Sequence, residues 1–185
     1  VDRGQAKKII VEYNSNITNI PQRAWDIWKH FKRINVGASV DGVGDINYYM
    51  RPPSRFSKIH ENLKKLSTAE GNFKVWIACT VNVFNVLHLP EFMEWSLLNK
   101  MPRINDDNIK PILTPHPLHG PKFYNIRMLP AYAKQYVKNK YEDYKPKLIK
   151  IINESNFSED RKEASKKEAV KMLDQYIDFM YADDY

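Results

Sequence analysis

The sequence predicts an α/β fold with a parallel sheet, and three observations carry that prediction. Short runs of alternating apolar residues recur along the chain, separated by longer segments whose apolar residues are spaced by three or four. The run Phe73 to Val81 is apolar on both faces, with Phe73, Val75, Ile77, Cys79 and Val81 on one and Trp76 and Ala78 on the other. Strands of that kind belong to parallel sheets. Polar residues also gather where the strands stop: Asn14 and Asn16, then Ser39 and Asp41, then Thr80, Asn82 and Asn85. In barrel-like α/β folds the carboxyl edge of the sheet is the functional one. Singly, each of these residues reads as well as a turn residue or helix cap.

Residues 8–13 read as a short first strand ending at Asn14-Ser15-Asn16. Pro21 opens a helix at a position that suits proline, with Ala24, Ile27, Trp28 and Phe31 as its apolar face. The second strand is 34–40, where Ile34, Val36, Ala38 and Val40 alternate until the turn cluster Asp41-Gly42-Val43-Gly44 stops them. Ser54 is placed to cap a helix whose buried stripe is Phe56, Ile59, Leu63 and Leu66, and Gly71-Asn72 ends it. After the strand at 73–81, Leu89-Pro90-Glu91 opens a helix to about Asn99. Residues 100–123 are irregular, with a short strand pattern at Ile109 to Leu113, and Asn125 to Leu129 reads as another strand. Pro130 opens a helix to about Tyr144, with Lys147 to Asn153 continuing it beyond Pro146. A last amphipathic helix covers roughly 158–181, with Val170, Leu173, Ile177 and Met180 or Tyr181 facing inward.

With 185 residues, one domain with a core of useful size is expected. Its 43% hydrophobic and 12% aromatic content exclude a disordered chain. No apolar run approaches the roughly 18 residues of a membrane span, and no signal peptide is evident. The single cysteine, Cys79, excludes an internal disulfide framework and suits a reducing cytoplasm. A first residue of Val1 rather than methionine leads to the expectation of a trimmed or incomplete product.

The net charge of +7 raises nucleic acid as a partner, but its distribution argues against one. Lysines are spread at helical positions. The densest basic group, Arg161-Lys162 with Lys166-Lys167, is interleaved with Glu159, Asp160, Glu163 and Glu168, and Glu163 to Lys167 is a favourable i,i+4 pair. His116 and His119 could be half a metal site, without two further evident ligands. His30, His60 and His88 are scattered at helix ends or faces.

The stretch SVDGVGDINYYMR, Ser39 to Arg51, closely resembles the segment of radical S-adenosylmethionine (SAM) enzymes that reads Ser-x-Asp-Gly, loop, Arg. FKVWIACTVNVFNVLHLPEFMEW is similar to that family's fifth strand and the helix after it. IIVEYNSNIT looks like the third strand, with Tyr13 and Ser15 departing from the pattern, and FYNIRMLP looks like the last strand region. The resemblance covers about residues 8 to 135. It implies an incomplete (β/α) barrel over 1–145 with a helical extension at 146–185 packed on it. It further implies SAM and a 4Fe-4S cluster as cofactors, with an electron donor. By residue, Ser39 would hydrogen-bond SAM, and Asp41 would hold the turn or a ribose hydroxyl. Arg51 would pair with the methionyl carboxylate, to which a guanidinium fork is matched. Thr80 and Asn82 would line the nucleoside pocket, with Asn14 at the edge of the same site. The bland alternative is that Asp41 caps a turn and Arg51 makes a surface ion pair.

The family's Cys-x3-Cys-x2-Cys cluster motif is not in this sequence, and Cys79 alone cannot hold the iron. A Gly-Gly-Glu-like segment is also missing. Both belong to strands before the third, so the expectation is the carboxyl-terminal part of such an enzyme, with an unknown substrate. The alternatives are an accessory or binding protein that keeps the barrel walls, and a basic α/β protein for an anionic partner.

Overall fold

Alternation in β2 (Arg33–Ser39) and β3 (Phe73–Val81) decides which side of the sheet is sealed. Ile34, Val36 and Ala38 of β2 and Phe73, Val75, Ile77, Cys79 and Val81 of β3 share one face and are almost wholly buried. The structure, a computed structural model, describes residues 4–99 and 113–182. Among the described residues the sheet has four parallel strands in the order β1-β2-β3-β4, with β1 at Ile10–Ser15 and β4 at Leu113–Pro117. Sequential order with parallel pairing requires a crossover after every strand. α1 (Gln22–Trp28) lies between β1 and β2, and α2 (Asp45–Met50) and α3 (Phe56–Thr68) between β2 and β3. α4 (Leu89–Leu98) follows β3, and α5 (Ala131–Asn153) and α6 (Glu159–Tyr181) close the chain. The protein is therefore α/β, with a parallel sheet and flanking helices.

Helices cover the sealed face. Ile59, Leu63 and Leu66 of α3 and Phe92 and Met93 of α4 join the strand residues in one apolar cluster, which continues into α5 and α6. Tyr13 of β1 meets Trp28 at 5.8 Å, and Trp25 and Trp28 both meet Phe73, so an aromatic group holds α1 on the sheet. Among the described residues, no helix is long and apolar enough to cross a membrane.

The other face is half open. It carries Glu12 and Asn14, then Arg33, Asn35 and Ser39, then Lys74, Trp76, Ala78 and Thr80, with exposed His116 beside Thr80 in register. Trp76 and Ala78, expected to be buried on a second covered face, are only partly so. Polar neighbours in the rows explain it, including Asn35 Nδ2 donating to Glu12 Oε2 at 2.9 Å.

Several expectations are corrected. The first strand starts later than 8–13, because Ala6–Lys8 is a 3-10 turn, so Asn14 lies within β1. Helix α1 stops before Phe31, which packs on the core from the following turn. Ser54 does not cap α3; its hydroxyl meets Thr18 Oγ1 at 3.0 Å, and the helix starts after Arg55. Asn125 to Leu129 is no strand but the 3-10 turn Ile126–Met128 with its two flanking cap residues, directly after a first such turn at Lys122–Tyr124. Asn125 Oδ1 takes the Arg127 N–H and turns the chain there. Of the strand expected at Ile109 to Leu113, residues 109–112 lie outside the described residues, and β4 begins at Leu113. Helix α5 runs unbroken through Pro146, joining the segments read at 130–144 and 147–153 into one helix. In α6 Met180 is buried and Tyr181 exposed, with Ala169, Met172 and Tyr176 completing the inner face while Val170 is only half-buried. Glu163 pairs with Lys166 rather than Lys167.

Candidate functional site

β2 ends where Asp41 leaves the sheet, and the turn that follows is built around that residue. Asp41 is 4% exposed, yet all its polar groups have partners. Its N–H donates to Asn47 Oδ1 at 3.1 Å, and its carbonyl accepts from Asn85 Nδ2 at 2.9 Å. Its Oδ1 accepts the Thr80 N–H at 2.8 Å, and its Oδ2 accepts Arg51 Nε at 2.6 Å. One carboxylate thus ties the ends of β2 and β3 to the residue that caps α2, satisfying groups that burial would otherwise penalise.

Asn85 fastens the same edge from the other side. Its Nδ2 also donates to the Thr80 carbonyl at 3.0 Å, and its Oδ1 accepts the Asn82 N–H at 2.8 Å. Asn82 in turn accepts the Phe84 N–H with its own Oδ1 at 2.9 Å, closing a tight turn after β3. Gly44 carries a φ of 59°, a conformation that suits glycine at the start of α2.

Arg51 is the part of this network that reaches solvent, with 30% of its side chain exposed. Only Nε is spent on Asp41. Its two terminal nitrogens have no hydrogen-bond partner among the described residues. Asn47 is fully buried, and its Nδ2 likewise has none. The edge therefore holds two sets of unused N–H donors near one another in the chain, on α2 and the residue that caps its end.

The expected site residues separate into two groups. Asp41, Arg51, Thr80 and Asn82 are joined in the network, with the Thr80 contribution coming from its main chain. Asn14 and Ser39 stand apart from it on the open face with the Thr80 side chain. Register places Asn14 beside Gly37 and Ser39 beside Ala78, so Asn14, Ser39 and Thr80 climb the sheet one row per strand. Gly37 makes the lowest step possible, since a Cβ there would lie 2.0 Å from Asn14 Oδ1 and 2.9 Å from the Trp76 ring. The Asp41 carboxylate is buried, and each of its oxygens accepts one hydrogen bond that ties down the turn.

Asn47 and His88 belong to the site although nothing local in the sequence marks them, because their partners are distant in the chain or main-chain groups. His88 Nε2 accepts the Val43 N–H at 3.0 Å. Burial lowers the His88 pKa, which keeps the ring neutral and able to accept. Cys79 faces the sealed side, where burial and the neighbouring Asp41 push its thiol well up and keep it protonated. The two histidines of 116–120 part company, because His119 packs edge-on against Phe179 at 5.5 Å. Among the described residues, no three His, Cys, Asp or Glu side chains gather as a metal site.

Comparison with known proteins finds no matching family model, no matching curated relative and no matching solved structure.

Proposed function

We propose that these residues are the carboxyl-terminal part of a radical SAM enzyme's incomplete barrel, supplying part of the SAM pocket and of the substrate cavity. The supporting observation is the Arg51 arrangement. Asp41 anchors the guanidinium through Nε and leaves the terminal nitrogens unbonded at the carboxyl edge of a sequential parallel sheet. Planar paired donors suit a carboxylate, which SAM carries on its methionyl end. The buried, unpartnered Asn47 Nδ2 is a further donor for an oxygen-rich group. Ser39 and Thr80 add hydroxyls on the open face above Asn14. The donor set therefore fits SAM.

It does not fit the iron–sulfur cluster. The chain has one cysteine, buried and protonated, whereas such a cluster needs several thiolates. The cluster ligands and the electron donor would lie outside these residues. When bound, SAM would supply radical chemistry on reduction; Arg51 would bind and orient its carboxylate end, and Ser39 would fix a polar edge of the ligand. Asp41, Asn85 and Asn82 hold the strand ends in place.

SAM titration of the full-length protein tests this. Arg51→Ala should lose a charge-assisted hydrogen bond of about 1.5–3 kcal/mol, which is roughly tenfold to a hundredfold in affinity. Ser39→Ala should cost about 0.5–1.5 kcal/mol, as a neutral bond. Lys58→Ala, on the exposed Lys58–Glu61 pair of α3, should change nothing. Equal SAM affinities for wild type and Arg51→Ala, in protein that stays folded by circular dichroism, would remove this edge from the cofactor site.

A further inference from the structure

His88 stands at the end of the 3-10 turn Val86–His88 and at the N-cap position of α4. It reaches back across 45 positions in sequence to accept the Val43 N–H. Gly42 packs against its ring so closely that a Cβ there would meet His88 Cδ2 at 3.0 Å. An imidazole that accepts at Nε2 carries its proton on Nδ1, and the doubly protonated ring has no lone pair left to accept with. Protonation therefore sets two N–H groups face to face at this contact.

The charges around the ring do not override that chemistry. Glu91 of α4 raises the His88 pKa and Lys140 of α5 lowers it, and the two are bonded to each other at 2.5 Å. The Asp41 carboxylate across the loop is paired with Arg51.

We propose that neutral His88 is a positioning residue for the SAM edge: it latches the 41–44 loop, from which Asn47 and Arg51 hang, and its protonation frees that loop. The SAM part of this inference rests on the functional reading above, while the latch does not. Because the folded-state pKa is lowered from 6.5, the latch is complete above that pH and is lost as pH falls through the lowered value.

Hydrogen exchange of the full-length protein, corrected for the intrinsic pH dependence of exchange, reads the latch directly. Protection over residues 41–46 should fall by about tenfold per pH unit below the histidine pKa, the slope of a single proton. His88→Gln keeps an acceptor but cannot titrate, so its protection should stay flat over the same range. Wild-type SAM affinity should weaken with acid more steeply than that of His88→Gln, which cancels titration of the ligand itself. Matching protection profiles for the two proteins would overturn the latch. If wild type binds no SAM at any pH, the functional reading fails, and the protection profiles still decide the latch.

Discussion

Asp41 and Asn85 show how much of a strand edge can hang on two side chains. Asn85 alone satisfies two carbonyls and one N–H, on Asp41, Thr80 and Asn82. Asn85→Ala would leave those main-chain groups unpaired in a buried place. It should cost about 1–3 kcal/mol of stability, more than a typical surface substitution. Urea unfolding measures it, and an unchanged midpoint would show that water replaces the amide. At this scale the sequence was partly legible. Ser39, Asp41 and Arg51 could be picked out because a strand pattern stops abruptly in a turn cluster beside them. The pairing of Arg51 with Asp41 could not be chosen over pairing with a ligand, since spacing alone does not say which partner the guanidinium takes. Asn47 and His88 were illegible because a side chain that serves a main-chain group elsewhere leaves no periodic or compositional trace.

Among the elements, the strands were read most surely and the irregular connections least. Alternation over nine residues makes β3 unambiguous, whereas Asn125 to Leu129 is short enough that one Asx turn outweighs its apolar pattern. Helix α5 makes the opposite point. Proline usually ends a helix, yet Pro146 sits inside Ala131–Asn153 on an exposed position. Packing explains its survival. Tyr141 is fully buried and donates to the Val86 carbonyl at 2.7 Å before the proline, and Leu148 and Ile152 are buried after it. Tyr144 and Lys147 also both bond Glu94 of α4 across the same stretch. Tertiary contacts thus hold both halves of the helix in line. Pro146→Ala restores a helical N–H and should stabilise the protein by about 1–3 kcal/mol in chemical denaturation. A loss of stability would mean that the proline's local geometry is needed to place Tyr144.

At the scale of the whole molecule, the sheet has a sealed face and an open one. Among the described residues, β1 pairs with a strand on one side only, and Ile9 and Ile10 beside that edge are 45% and 46% exposed. Unpaired parallel edges recruit other strands. The 185-residue chain should therefore self-associate at micromolar concentration in sedimentation velocity, and a clean monomer across that range would contradict a recruiting edge at β1. The parallel α/β class was legible from the strand–helix rhythm. That one sheet face is polar and half open was not, because Trp76 and Ala78 read as core until their row neighbours, Asn14 and Ser39, are known. That face and the Arg51 edge together are where we propose that SAM binds. Hydrogen exchange of the full-length protein with and without saturating SAM tests this most directly. The account predicts new protection over 14–16, 39–51 and 80–85, with α5 and α6 unchanged. Protection confined to α5 and α6, or none at any SAM concentration, would contradict it.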